Sequence, residues 1–395
     1  MAKKAPKINV TNITEEDKEI ASEFMNEEVK ADLNSFFKMS KALKSSVVDV
    51  SVNDIRFLVQ AYYQMQDIRI ILSGRIRAIE QGKSYGASVV GEDGIPHAEA
   101  LRWLYLNMLG LENEVKKALD IWSSVNPIAY WAKQVTGIGP VISCGLVSML
   151  DIERAPSVSH FYSYAGLNDN NNPWLGKEKA KKIVEKYCHS AQVTVEELVA
   201  LSKDPECSGR SLEKLIKYAT ELDKKFNPTG RYTKEALIKG LSKPPYNEDL
   251  KVLVWKIGQS FVKVSNRPAS LYGRLYQERK AYELEKNKNG DYSEQAAGII
   301  VSKNWKNKSS DTYKAYASGI LPDTHINSRA ARYATKIFIS HLWEEMYRLR
   351  YNDEAPRPYA IAHLGHVDLI APEVPFTPLD PNKPKLRPEN PVEYY

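Results

Sequence analysis

Cysteine is scarce: three residues, Cys144, Cys188 and Cys207, in a chain of 395. Three scattered thiols cannot build a disulfide framework, and a reducing, intracellular setting is expected. Long apolar runs are missing as well. None approaches the roughly 20 residues of a membrane-spanning helix, so no membrane partner is expected. The opening decapeptide, MAKKAPKINV, has charge but no apolar centre and does not read as a signal peptide. There is no P-loop and no dinucleotide fingerprint, which sets aside two common phosphate-cofactor classes. Strand patterns are sparse, VVDVSV at 47–52 being the best of them. Metal ligands are thin too. Cys188, His189 and Cys207 lack the paired spacing of a structural zinc site, and His363 and His366 sit in a loop-like AHLGHVDL, so no metal site is expected.

What is present is an ordinary globular composition, 43% hydrophobic and 26% charged, with a net charge of +6. The length suggests two or three units. A mildly basic balance permits nucleic-acid binding without demanding it, so the placement of the cations decides. Residues 54–81 read as a long helix capped by Ser51 or Asn53 and followed by Gly82, and GKSYGASVVGEDGIP is a glycine-rich connector. A second long helix spans about 97–122. Its Leu101, Leu104, Met108, Leu111, Val115, Ala118 and Trp122 recur at alternating spacings of three and four, a heptad seam. The seam predicts either an antiparallel helical hairpin or self-association with a second copy.

Two or three short helices are expected over 127–167 and further helices at 247–264, 268–286 and about 328–350, with KNKNGDYSE as a polar turn. Residues 176–243 are lysine-rich and broken at Pro205 and Pro228, and GKEKAKK gathers Lys177, Lys179, Lys181 and Lys182. From Ala355 on, proline recurs every few residues, as in an extended strap or a disordered end. The expected class is mainly α: long paired helices over 1–125, a helical domain over 126–350 with the lysine-rich insertion 176–243, and a proline-rich tail over 351–395.

One short stretch concentrates the chemistry: QVTGIGPVISCGL, residues 134–146. A helix ending near Val135, a Gly-x-Gly reversal and Pro140 at the first position of the next helix make a helix-hairpin-helix unit. Glycine tolerates a positive φ, and proline at the first helical position loses no hydrogen bond. The amides of Gly139, Val141 and Ile142 then project from a helix N-terminus. With the helix dipole behind them and little side chain in front, they suit a phosphate oxygen, while Ile138 turns inward as an anchor. Gly137, Ile138, Gly139, Val141 and Ile142 are therefore candidate DNA-backbone contacts. Such contacts position DNA and read no sequence. A second candidate surface is the last long helix. At about 100° per residue, Arg329, Arg332, Tyr333, Lys336, Ser340, Trp343 and Tyr347 share one arc. Basic residues interleaved with aromatics suit a backbone and a stacked base, and Ala334, Ile337, Phe338, Leu342 and Leu349 share an arc expected to face the core.

VTGIGPVISCGLVSMLDIERAPSVSHFYSYAGL, residues 135–167, resembles the start of the C-terminal domain of one class of insertion-sequence transposases. In that class a RuvC-like DEDD nuclease domain precedes a serine-bearing C-terminal domain, and a structured bridge RNA accompanies the protein. The resemblance continues in YNEDLKVLVWKIGQSFV, 246–262, where Asn247, Leu250 and Lys251 match a later Gly-Asn-x-x-Leu-Arg helix, and in ASLYGRLYQERKA and the helix from Arg329. It implies DNA binding in transposition or recombination, Lys251 as a further DNA contact, DNA and structured RNA as partners, and a cytoplasmic, nucleoid-associated location.

The first 125 residues depart from the class. They read as helices, and none of its four nuclease carboxylates is carried over; Asp49 matches the first only superficially. The position of the serine nucleophile maps to Thr229 or Ser208, each before a glycine. If the chain is catalytic, a hydroxyl nucleophile with Mg2+ assistance is implied. Two alternatives stand beside a DNA-binding protein of transposase type: an active recombinase, and a non-catalytic structural or inhibitory interaction protein derived from one.

Overall fold

A computed structural model describes residues 39–81, 99–168, 175–204, 233–357, 369–386 and 388. The chain is mainly α, and among the described residues there is no strand, only an isolated bridge between Gln192 and Thr233. No helix among them is long and apolar enough to cross a membrane.

The described residues fall into two compact units, one from Met1–Pro156 and Leu253–Tyr395, the other from Ser157–Val252. The compositional boundaries expected at 125 and 350 both lie inside the first. In chain order the helices are α1 (Lys41–Ser46), α2 (Val52–Glu80), α3 (Glu99–Val125), α4 (Pro127–Lys133), α5 (Pro140–Met149), α6 (Val158–Tyr164), α7 (Lys177–Tyr187), α8 (Val195–Ser202), α9 (Lys234–Ser242), α10 (Glu248–Lys263), α11 (Leu271–Lys288), α12 (Ser293–Ser302), α13 (Asp311–Ala317) and α14 (Asp323–Tyr351).

VVDVSV forms no strand. Val47–Asp49 is a 3-10 turn, and Val52 already opens α2 because Ser51 caps it, accepting from the Asp54 amide. A β-branched run without a partner strand gains nothing from extension, and the cap decides. In the first unit α2 and α3 lie antiparallel. Ile55 and Val59 pack with Ala118, Leu119 and Trp122, whereas Leu72 and Ile76 pack with Tyr105, Leu101, Leu104 and Met108. Seam residues thus meet α2 of the same chain. Midway, Glu112 is buried and accepts from Arg69 Nε at 2.6 Å, a charge pair set between two apolar layers. Arg56 of α2 reaches the Ser148 carbonyl and closes the C-terminal end of α5.

The centre of the first unit is aromatic. Phe261 of α10 stacks on Tyr272 of α11 at 4.9 Å, and Phe338 of α14 meets both edge-on. His341 is held between the Tyr272 hydroxyl and the Ile370 carbonyl, each at 2.8 Å, and burial pushes its imidazole down to about 4. The proline-rich segment 369–386 is a strap on this core. Phe376 stacks on Trp131, whose indole donates to the Pro375 carbonyl, and buried Glu345 accepts from the Thr377 amide and hydroxyl.

Lys256 of α10 is buried with its Nζ 3.2 Å from the centre of the Tyr63 ring. Desolvation lowers its ammonium to about 8, against the raising effect of Asp67 and Glu112. Between that value and the ordinary 10.5 the folded chain binds fewer protons than the unfolded one, so stability rises with pH across this window. Lys256→Met should remove that part of the rise and stabilise the fold at pH 7 by roughly 1–3 kcal/mol. Urea titrations at pH 7 and pH 10 test it; parallel behaviour of the two proteins between these pH values would show that Lys256 carries no such cost.

In the second unit, α7 is amphipathic. Ala180, Ile183 and Val184 pack with Leu198, Leu201, Leu237 and Leu241, and Lys177, Lys179, Lys181 and Lys182 are exposed. Cys188 belongs to this core, and burial pushes its thiol up to about 11. Among the described residues no group of three or more His, Cys, Asp or Glu gathers as metal ligands do. Cys207, His363 and His366 lie outside the described residues.

Candidate nucleic-acid interface

The turn between α4 and α5 is built by its two glycines in different ways. Gly137 has φ +97°, and a Cβ there would lie 3.1 Å from Ser260 Oγ and 3.2 Å from Val264 Cγ2. Only glycine holds this backbone at low cost against α10. The Ser260 hydroxyl donates to the Gly137 carbonyl and fixes the turn, and Ile138 is buried. Gly139 is extended, at φ −101°, and a Cβ on it would meet nothing within 4 Å among the described residues. One side of the reversal is therefore packed and the other open.

Pro140 occupies the first turn of α5, and Gly139 supplies no side-chain cap. Among the described residues, the amides of Gly139, Val141 and Ile142 have no acceptor. These residues line a cavity of about 420 Å³. Its other walls come from Tyr62, Tyr63 and Gln66 of α2, Lys116 of α3, and Ser260, Lys263, Val264 and Arg267 at the end of α10. Three cations and no carboxylate line it among the described residues. Lys116, Lys263 and Arg267 are exposed residues, and partial burial holds the Lys263 ammonium below its ordinary value. A helix N-terminus with open amides and a cationic surround favours an anion. The Thr136 amide, one residue before the turn, is already taken: it donates to Glu373 Oε1 at 2.6 Å, and Glu373 Oε2 accepts from the Leu271 amide at 2.8 Å. The strap thereby ties the approach to the hairpin to the start of α11.

The arc on α14 is placed differently. Arg329 is engaged: its Nε donates to the buried Glu283 carboxylate at 2.7 Å and its guanidinium lies over Tyr292 at 4.7 Å. Arg279 and the Tyr292 hydroxyl bind the same carboxylate. Trp343 and Tyr347 are buried, the Trp343 indole donating to the Ala155 carbonyl. Arg332 is exposed and Lys336 half-buried. The helix is enclosed on more than one side, so its hydrophobic arc does not mark its only packed face.

In the second unit the two remaining motifs of the resemblance meet. Asn247 donates its backbone amide to the Tyr164 carbonyl and its Nδ2 to the Tyr164 hydroxyl, both at 2.9 Å, and its Oδ1 caps α10 at the Leu250 amide. Gly166, at φ +64°, ends α6 and lies against Tyr246 and Lys251. Lys251 is exposed with its Nζ 3.8 Å from the Tyr246 ring centre. Thr229 and Ser208 lie outside the described residues.

The hairpin carries a local signal in its glycines and proline, whereas Lys116, Lys263, Arg267, Tyr62, Tyr63 and Gln66 reach the cavity from α2, α3, the end of α10 and the turn after it, and no local pattern joins them. Comparisons with protein-family models, with curated proteins and with solved structures found no match.

Proposed function

We propose that the chain binds DNA through its sugar–phosphate backbone at the Gly137–Ile142 hairpin and works in transposition or recombination. The observation that carries this reading is made among the described residues: the amides on Gly139, Val141 and Ile142 lack acceptors, at a cavity lined by Lys116, Lys263 and Arg267 and by no carboxylate. The resemblance of 135–167 to transposase C-terminal domains, and the meeting of Tyr164 with Asn247, support the transposition context. In the first unit Arg332 and Lys336 are further cations for the same polyanion; Lys251, in the second unit, is a separate candidate DNA contact, and structured RNA is a second expected partner. The protein would then act at the nucleoid, in the cytoplasm.

The two glycines supply the test. Gly139→Ala places a methyl group where no described residue lies within 4 Å, at an ordinary φ, so folding stability should change by no more than about 0.5 kcal/mol. The same methyl obstructs close approach of a phosphate, and DNA affinity should fall by about tenfold. Gly137→Ala should instead destabilise the fold by about 1–3 kcal/mol, through its positive φ and its packing against α10. Gel shifts with duplex, forked and four-way-junction DNA and structured RNA at about 50–200 mM salt, paired with thermal melts, read both effects. Unchanged affinity in a folded Gly139→Ala protein would remove the hairpin as the contact. Strand-transfer assays on Thr229→Ala and Ser208→Ala separate an active recombinase from a binder.

A further inference from the structure

We infer that the cavity beside the hairpin takes one nucleotide unit, base and sugar together with the phosphate. The inference deepens the proposed DNA contact and rests on it. A phosphate alone explains the cations and the amides, but not the rest of the lining. The cavity measures about 420 Å³, within the roughly 300–1,000 Å³ span of small-molecule sites and far larger than a phosphate requires.

Its α2 wall also has the wrong chemistry for an anion. Two aromatic residues, Tyr62 and Tyr63, line it together with Gln66. Gln66 is 3% exposed, and its amide is oriented: Nε2 donates to Glu112 Oε1 at 3.2 Å and to the Tyr62 hydroxyl at 3.4 Å. Its Oε1 is the end left over, buried and without a hydrogen-bond partner among the described residues. An orphaned buried acceptor is unfavourable until a donor reaches it. The N–H groups on a nucleobase edge are such donors, and the base plane suits the tyrosines. A phosphotyrosine side chain would satisfy the cations and the aromatic wall, but its ring has no N–H for Gln66. The two ends of the cavity therefore match the two ends of a nucleotide. It is either free or part of a strand as an unpaired or terminal unit, since a base stacked within a duplex cannot reach the α2 wall.

The experiment compares three probes on the full chain: an equimolar set of the four deoxynucleoside monophosphates, duplex DNA with one unpaired nucleotide, and the same duplex with an abasic sugar at that place. The duplex with the base should bind about tenfold or more tightly than its abasic partner. Gln66→Met, which keeps the side-chain length and removes the acceptor, should close that gap while leaving abasic binding and its salt dependence intact. Equal binding of the two duplexes by the wild-type protein overturns the nucleotide inference and leaves backbone binding standing, whether or not the variant folds. Binding of the monophosphates without any DNA binding assigns the cavity to a free nucleotide and overturns the DNA reading. Binding of none of the probes overturns both.

Discussion

Glu283→Ala should destabilise the first unit by about 3–5 kcal/mol, the range for removing one partner of a buried charge cluster. The carboxylate is 1% exposed and receives Arg279, Arg329 and the Tyr292 hydroxyl. Burial alone would raise its carboxyl; hydrogen bonds from Tyr292, Arg329 and Arg279 outweigh that and hold it below the ordinary value. Its contribution is therefore complete above the ordinary carboxylate range and is lost as the pH falls through the lowered folded value. Alanine leaves two guanidinium groups facing one another across the gap between α11 and α14. Urea unfolding at pH 7 measures the loss, and a change below about 1 kcal/mol would mean that water solvates the freed arginines without strain. The result also bears on Arg329. If its guanidinium serves the fold, Arg329→Ala should lower stability while the salt dependence of DNA binding keeps its slope.

The largest functional effect is expected from Lys116, Lys263 and Arg267. Each phosphate deprived of its cation should flatten the dependence of log affinity on log salt by about 0.9, so replacing all three with alanine should reduce the slope by up to about 2.7. At about 100 mM salt the affinity should fall by roughly 10²–10³. The three side chains start from α3, from the last residue of α10 and from the turn after it, and all three residues are exposed, so the replacements should change stability by no more than about 1 kcal/mol. Arg332→Ala is the comparison. Should it lower affinity while the triple variant binds as the wild type, the DNA surface would be the exposed side of α14 and not the hairpin cavity.

Much of the helical fold was legible in the sequence because it is written in local signals. The period of the seam, the Gly-Ile-Gly-Pro punctuation and the Ser51 cap are all short-range features, and they place α2, α3 and α5 within a few residues. The turn at KNKNGDYSE falls where α11 ends, with Gly290 at φ +83°. Tertiary geometry accounts for the rest. Gln66, Lys116 and Lys263 lie on separate helices far apart along the chain, and nothing local joins them at one cavity. Arg329 reads as an exposed cation until α11 supplies Glu283. Trp343 and Tyr347 share an arc with basic residues, yet the Ala155 carbonyl and the packed core claim them. VVDVSV has strand composition, but β-structure needs a neighbour that no pattern in the chain provided.

The carboxylate of Glu373 has a consequence in time. It latches the Thr136 amide from 237 positions downstream, so a nascent chain presents its hairpin without that latch until nearly all of the first unit has been made. The approach to the turn is therefore completed among the last long-range contacts, and a polyanion that met the growing polypeptide earlier would find a looser seat than the finished protein offers.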